Sequence, residues 1–496
     1  MSKHTLFLTL SSLLTMAPLP AAAAPVSILP TPAPAPKAAP APAAQPAAPT
    51  TTTAPATPAL PTLPPQPMPK LSQTQANFLR GWLADGARQG LTTGSTKSYA
   101  ALSGDQLAHA ALDRAIALRR GRVDTADFLN IWAVRPPAYD PQPGFADAVK
   151  ADRLQQWAGN LTPRYAGYEA LRKGLDRYEG ILEAGGWKTL TAQSSPAEIR
   201  NRLRVEDDAV TDGEPVSAAI QRAQKRYGLE PTGTLGTRTL AALNVPVKER
   251  IGAIMANMER WRWLPPTLPE NRVQVNIAAA VLTVFEGDNP VSSMRAVTGS
   301  PDNQTPMLVS NITSIVVNPP WNVPASIAKR ELFPKGKAAL ARQGYKIIST
   351  PDGGERIVQP AGPGSALGRL KFDFNNPFAV YLHDTPSRGK FSSYDRLASH
   401  GCVRLEKPLS LAEYMLQGSP DVPTDVQSLI DTGKTQRVSV PKPVAVYLLY
   451  WTAFASGNGT MNFREDPYGW DKLLAAKIDA STNRAQANAT TIASKE

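Results

Sequence analysis

The chain has 496 residues, 42% hydrophobic and 19% charged, and its 53 Lys and Arg exceed 41 Asp and Glu for a formal charge of +12. That length suits two to four domains with ordinary cores, and the basic residues are too dispersed for a nucleic-acid footprint. The charge fits a surface facing an anionic envelope, and ordinary solvated charge accounts for it equally well. Residues 1–24 read as a secretion signal: Lys3 and His4 make a basic start, Leu6 to Met16 an apolar run, and Ala21 to Ala24 a small-residue cleavage region. The run is short and Ser/Thr-rich for a membrane span, although an uncleaved anchor is the alternative. No cysteine is available there for a lipid anchor, and no twin arginine is present. Residues 25–70 are almost only Ala, Pro and Thr, and are expected to form a disordered tether.

Residues 71–206 are expected to be helical. Phe78, Trp82 and Leu83 share one helix face, and Leu107, Ala111, Leu112, Ala115 and Leu118 another. Phe128, Ile131 and Trp132 repeat that spacing, and Tyr165, Tyr168, Leu171, Leu175 and Tyr178 mark a longer helix. In residues 207–247, an amphipathic helix from Pro215 ends at Gly228, a turn runs from Thr232 to Gly236, and a second helix spans Thr237 to Leu243. This pair resembles the small peptidoglycan-binding domain of wall enzymes, with Thr232 where that module usually has an acidic residue. A structural hairpin without glycan affinity is the bland alternative.

A connecting helix is expected within 248–271, and strand alternation begins with Val273, Val275 and Ile277. Residues 272–455 hold many short β candidates: Val281 to Phe285, Met294 to Thr298, Ile312 to Val317, Phe378 to His383, Gly401 to Leu405 and Arg437 to Val440. The expected class is α+β multidomain, with a β-rich, sandwich-like catalytic domain, a helical scaffold and a small helical module. Residues of about 325–371 read as an insertion that caps a site, and 477–496 as a disordered tail.

Chemistry concentrates around the one cysteine, Cys402, in Ser399-His400-Gly401-Cys402-Val403-Arg404. Two of the four histidines, His383 and His400, lie shortly before it. A thiol needs a base to become a good nucleophile, and imidazole is the usual one. His383, at a strand end, is the expected base. The Asp384 side chain should point to the other face, so a backbone carbonyl is expected to orient the ring. The amides of Gly401 and Cys402 are candidates for an oxyanion hole. Ser399 and His400 are expected to support the loop, with a direct proton role for His400 as the lesser reading. Arg404, on the cysteine's strand face, suits a substrate carboxylate or an internal salt bridge, and Tyr381 and Trp321 could line the pocket or fill core. No metal-ligand spacing and no nucleotide fingerprint occurs, so neither metal nor cofactor is expected.

A His followed at this distance by Ser-His-Gly-Cys resembles the L,D-transpeptidases with a YkuD-type catalytic domain, and the likeness spans about Pro215 to Val446. The resemblance implies a periplasmic enzyme, at most tethered to the membrane, that joins peptidoglycan stem peptides third residue to third residue through a Cys402 acyl-enzyme. Peptidoglycan peptide and glycan are the implied partners, and carbapenem-type drugs the implied inhibitors. Water as acceptor would make the site an L,D-carboxypeptidase. A hydrolase attaching or releasing wall protein, and a non-enzymatic wall-binding scaffold, are the rival readings.

Overall fold

The computed structural model describes residues 67–91, 99–417 and 425–480; the signal and most of the tether lie outside them. Helices come first: α1 (Gln73–Ala84), α2 (Gly104–Arg120), α3 (Gln142–Lys150), α4 (Leu154–Gly159), α5 (Ala166–Glu183) and α6 (Pro196–Arg204). Capping boxes start three of them, Ser72 with Gln75, Ser103 with Gln106 and Ser195 with Glu198, each satisfying amides that a helix start leaves open. The apolar stripe of α2 is buried as its spacing requires.

The Phe128–Trp132 segment is not a helix. Its Phe and Trp spacing reflects a 3₁₀ turn at Thr125–Asp127, after which Trp132 bridges to Met307. Ala133 N–H donates to the Met307 carbonyl, and Met307 N–H to that of Ile131. Backbone groups that a helix would have used internally thus fasten the scaffold to the sheet.

Next come α7 (Val216–Arg226), α8 (Thr237–Leu243) and α9 (Val247–Trp261). Buried Gln224 binds Thr232, Thr239 and the Thr234 carbonyl through Nε2 and receives Gly233 N–H on Oε1, which locks the turn between α7 and α8. A buried Arg202–Glu206 pair at 2.7 Å joins α6 to its neighbours, with the Tyr178 and Tyr227 hydroxyls donating to Glu206.

The remaining chain carries β1 (Asn271–Asn276), β2 (Val281–Glu286), β3 (Asn289–Gly299), β4 (Leu308–Val317) and β5 (Trp321–Asn322). Then follow α10 (Ala325–Ile327), continuing as a π-helical turn over Ala328–Leu332, α11 (Lys337–Arg342), β6 (Lys346–Ser349), β7 (Glu355–Gln359), β8 (Leu370–Phe374), β9 (Leu382–His383), β10 (Leu397–Ser399) and β11 (Val403–Leu405). Helices α12 (Pro408–Leu416) and α13 (Val426–Asp431), and strands β12 (Gln436–Leu449), β13 (Ala453–Ala455) and β14 (Met461–Phe463), complete the named elements, before a helix α14 over 470–480. Residues 477–480 therefore continue that helix, with Ile478 buried, rather than opening a disordered tail; 481–496 lie outside the described residues.

One mixed sheet runs β10-β3-β11-β9-β8-β4-β12-β1-β2, and β2 also pairs with β3, so the sheet closes on itself. Strands β5, β7 and β6 form a separate small sheet. With α10 and α11 they pack Val323, Ala328, Leu332, Leu340 and Ile357 into a core of their own between β4 and β8. Helices α5, α6 and α9, the α7–α8 pair and the closed sheet share one continuous apolar core, while α1 to α4 pack smaller cores of their own.

Candidate active site

The site is one face of three neighbouring strands. Strand β8 runs antiparallel to β9, with Lys371 opposite His383, and β9 runs parallel to β11, with His383 opposite Arg404. Side chains alternate across a strand. Phe372, Leu382, Val403 and Leu405 fill the core face. The other face collects Lys371 and Asp373, Tyr381 and His383, and Arg404, with Cys402 just ahead of β11. Because β9 and β11 are parallel, the chain between them needs a crossover. That excursion, through a 3₁₀ turn at Arg388–Ser392 and β10, brings the histidine and cysteine ends together.

His383 is buried, and its Nδ1 lies 2.5 Å from the Asp384 carbonyl. A carbonyl only accepts, so Nδ1 carries the hydrogen and Nε2 keeps the lone pair a base needs. The Asp384 carboxylate is engaged elsewhere, by Arg388 at 3.0 Å and the Arg369 amide at 2.8 Å. Burial, then the positive charge of Arg404, pushes the imidazole down to about 3 against the Asp384 hydrogen bond, and Lys371 adds to the fall. The ring is neutral at physiological pH.

Burial raises the Cys402 thiol above its usual range, while the backbone and hydroxyl of Tyr381, with Lys371 and Arg404, pull it back. Its Sγ donates toward the Ala379 carbonyl at 3.9 Å. Ala379 holds φ +53°, a left-handed geometry costly for a residue with a Cβ. Asn376 supports that bend: its Oδ1 takes the Phe378 and Val380 amides, and its Nδ2 donates to the Val380 carbonyl at 2.7 Å. Tyr381 packs edge-on against His383 at 5.5 Å, and has Lys371 Nζ 4.3 Å above its ring. Lys371 is anchored by Asp373 at 2.7 Å. Arg404, partly buried, makes no ion pair or hydrogen bond among the described residues, and so is available to an incoming carboxylate.

The cysteine loop is internally tied. Gly401 holds φ +109°, which only glycine tolerates well. Ser399 Oγ donates to the Cys402 carbonyl at 2.5 Å and accepts the Gly401 amide at 3.2 Å. The Gly401 amide is therefore occupied, whereas the Cys402 amide carries no hydrogen bond among the described residues and remains for an oxyanion. His400 turns outward, its Nε2 3.0 Å from Glu331 on the π-helical turn of the insertion. Beside it, Arg330 reaches Asn303 at 3.2 Å.

Sequence reasoning missed Lys371 and Asp373. Strand β8 was not among the expected strands, although Leu370-Lys371-Phe372-Asp373-Phe374 alternates cleanly and its burial follows suit. It also missed a buttress behind the loop. Buried Thr305 donates to the Gly401 carbonyl at 2.8 Å and accepts the Gly299 amide, and the Tyr468 hydroxyl accepts the Thr305 amide and donates to the Gly299 carbonyl at 2.6 Å. Nothing local to the cysteine motif signals partners so distant in sequence.

Parts of the chain are similar to known proteins. Residues 270–426 match the L,D-transpeptidase catalytic domain of the YkuD family. Residues 73–175 match a scaffold domain, and 207–243 match a "Putative peptidoglycan binding domain". A Haemophilus influenzae protein named "Putative L,D-transpeptidase" is 31% identical over 239 residues, covering 44% of this chain and 48% of the relative. The chain thus spans about half the length of the curated relative it matches. Solved L,D-transpeptidases are also similar: one from Mycobacterium smegmatis at 19% identity over 36% of this chain and 58% of that chain, with TM-score 0.20, and the E. faecium catalytic domain acylated by ertapenem at 12% over 37% and 98%, with TM-score 0.18.

Proposed function

We propose that the chain is an L,D-transpeptidase that crosslinks peptidoglycan stem peptides, third residue to third residue, through an acyl-enzyme on Cys402. The observation that carries this reading is the His383 tautomer: with Nδ1–H held by the Asp384 carbonyl, Nε2 is left as a base on the face that carries Cys402. In the first step Sγ attacks the carbonyl of the third stem residue as the thiol proton passes to Nε2. The C–N bond to terminal D-alanine breaks, and the departing amine takes that proton. In the second step the amine of another stem attacks the thioester, gives its proton to Nε2, and the thiolate leaves and is reprotonated.

The Cys402 amide and the Tyr381 hydroxyl are the donors we assign to the tetrahedral oxyanion. The unpaired Arg404 suits the carboxylate of the donor stem, and Trp321 and Tyr381 wall the pocket beneath the insertion, which acts as a lid. The α7–α8 module supports wall attachment. Carbapenems are expected to acylate Cys402 in place of donor. The signal-like pattern of residues 1–24 and the wall-directed domain matches support action outside the cytoplasm. No helix among the described residues is long and apolar enough to cross a membrane.

Mass spectrometry of muropeptides incubated with purified protein tests the proposal. Crosslinked dimers with release of D-alanine are expected from the wild type and none from a folded Cys402→Ala protein. Tripeptide without dimer would replace transpeptidation by carboxypeptidation, and turnover by Cys402→Ala within a few-fold of wild type would remove the thiol mechanism.

A further inference from the structure

A cavity of about 460 Å³ opens between the α7–α8 module, the turn joining β1 to β2, the segment leading into β10 and the residues after β14. Its charged lining is Lys225, Arg238, Arg396 and Arg464 against Asp395 and Glu465. Glu465 is used by Arg238 at 3.2 Å on the exposed rim. Among the described residues the two deeper arginines form no ion pair, although Glu406 acts on Arg396 from further off. Arg464 spends Nη1 on the Arg226 and Phe463 carbonyls, at 2.7 and 2.8 Å, and no hydrogen bond occupies its Nε or Nη2 among the described residues. Arg396 donates to the Ser393 and Ala279 carbonyls, and its buried Nε has no partner. Gly228, at φ +68°, leaves room for this arrangement, since a Cβ there would stand 2.7 Å from Arg464 Cδ and Nε.

Two guanidiniums facing one cavity without an ion-pair partner repel each other and lose hydration, a cost that an anion bridging N–H groups of the two removes. Burial, reinforced by Arg396, accordingly pulls Arg464 down to about 10.

We infer that this cavity is an accessory oxyanion site that holds a carboxylate of a peptidoglycan stem peptide, away from the stem that Cys402 attacks. The inference rests on the proposed wall substrate, and the position favours it: one wall of the cavity is the wall-binding module, and the other is the strand entry that leads through β10 to the Cys402 loop. A phosphate offers the same oxygen geometry and is the competing source.

The test uses full-length Cys402→Ala protein and the dipeptide L-alanyl-D-glutamate, which brings two carboxylates and no third residue to attack. The Nε–H resonances of Arg396 and Arg464 are followed during titration, with Arg437 as reference. Expected are saturable shifts of both and binding about tenfold weaker in Arg396→Gln, the worth of a charge-assisted hydrogen bond. Absence of shifts, or unchanged affinity in Arg396→Gln, overturns the site. Shifts with inorganic phosphate but not with the dipeptide overturn the carboxylate assignment. The unsubstituted arginines report directly, so a variant that fails to fold leaves the answer intact. Failure of wild-type protein to form muropeptide dimers would remove the proposed transpeptidation while leaving this titration standing.

Discussion

The resting charge of the Cys402–His383 pair can be worked out and tested. Cys402 sits above its usual 9.0, and His383 has fallen to about 3. With the thiol raised and the imidazole lowered, moving the proton from sulfur to imidazole at rest is unfavourable before the pair's own attraction is counted. The resting site is thus thiol and neutral imidazole. At pH 7 the thiolate is a minor form, and in the proposed mechanism the proton moves as the carbonyl is attacked. Alkylation of Cys402 by iodoacetamide, followed by intact-mass spectrometry, should therefore climb about tenfold per unit between pH 7 and 9 without a plateau. Acylation by a tetrapeptide donor or a carbapenem should instead be flat from about pH 5 to 8, because neither group changes protonation there. His383→Ala should cost acylation about two to four decades, yet change alkylation at pH 9 by no more than about threefold. An alkylation plateau with its midpoint below pH 7, or an acid limb of acylation near 6.5, would show a preformed thiolate–imidazolium pair and refute the argument.

Two further outcomes follow from groups away from the sulfur. Glu206 is held at about 2 despite burial, chiefly by Arg202 and then by the Tyr178 and Tyr227 hydroxyls. Its folded value lies below the unfolded one, so its contribution is present above about pH 4.5 and is lost as pH falls toward 2. That amounts to roughly 3 kcal/mol; Glu206→Gln should flatten denaturant-measured stability in that window, and curves parallel to wild type would contradict the assignment. The His400–Glu331 contact is solvent-facing and worth under about 1 kcal/mol. Glu331→Gln should leave the melting temperature within about two degrees but speed amide exchange across 325–359, and His400→Ala should do the same with no added effect in the double variant; unchanged exchange would break the link between loop and insertion.

Cys402 and His383 stood out in the sequence as candidate nucleophile and base because thiol chemistry needs particular residue types, and a chain with one thiol and four histidines offers few choices; the structure brings the two onto one face of the sheet. The helices of the scaffold were legible where a full apolar stripe repeats, as in α2 and α5. Where only three aromatic residues carried the pattern, at Phe128, Ile131 and Trp132, a bridge to Met307 overrode local spacing. Strand β8 begins where the expected insertion ends and is not among the expected strands, and with it went Lys371, whose charge acts on both His383 and Cys402. The rest of the site is set by register, which no local pattern reveals. Placing Lys371, His383 and Arg404 abreast depends on an antiparallel pairing beside a parallel one, closed by a crossover. That same register decides the electrostatics. Two cations stand on the face with the imidazole, Lys371 paired with Asp373 and Arg404 without an ion pair among the described residues, so burial and then these charges work against protonating His383 at rest. In the mechanism proposed above, negative charge appears on substrate oxygen just as the imidazole becomes positive. Burial, and then Arg404 and Lys371, disfavour a resting imidazolium, and the same two cations suit that developing oxyanion, for which the Cys402 amide is the donor we assign.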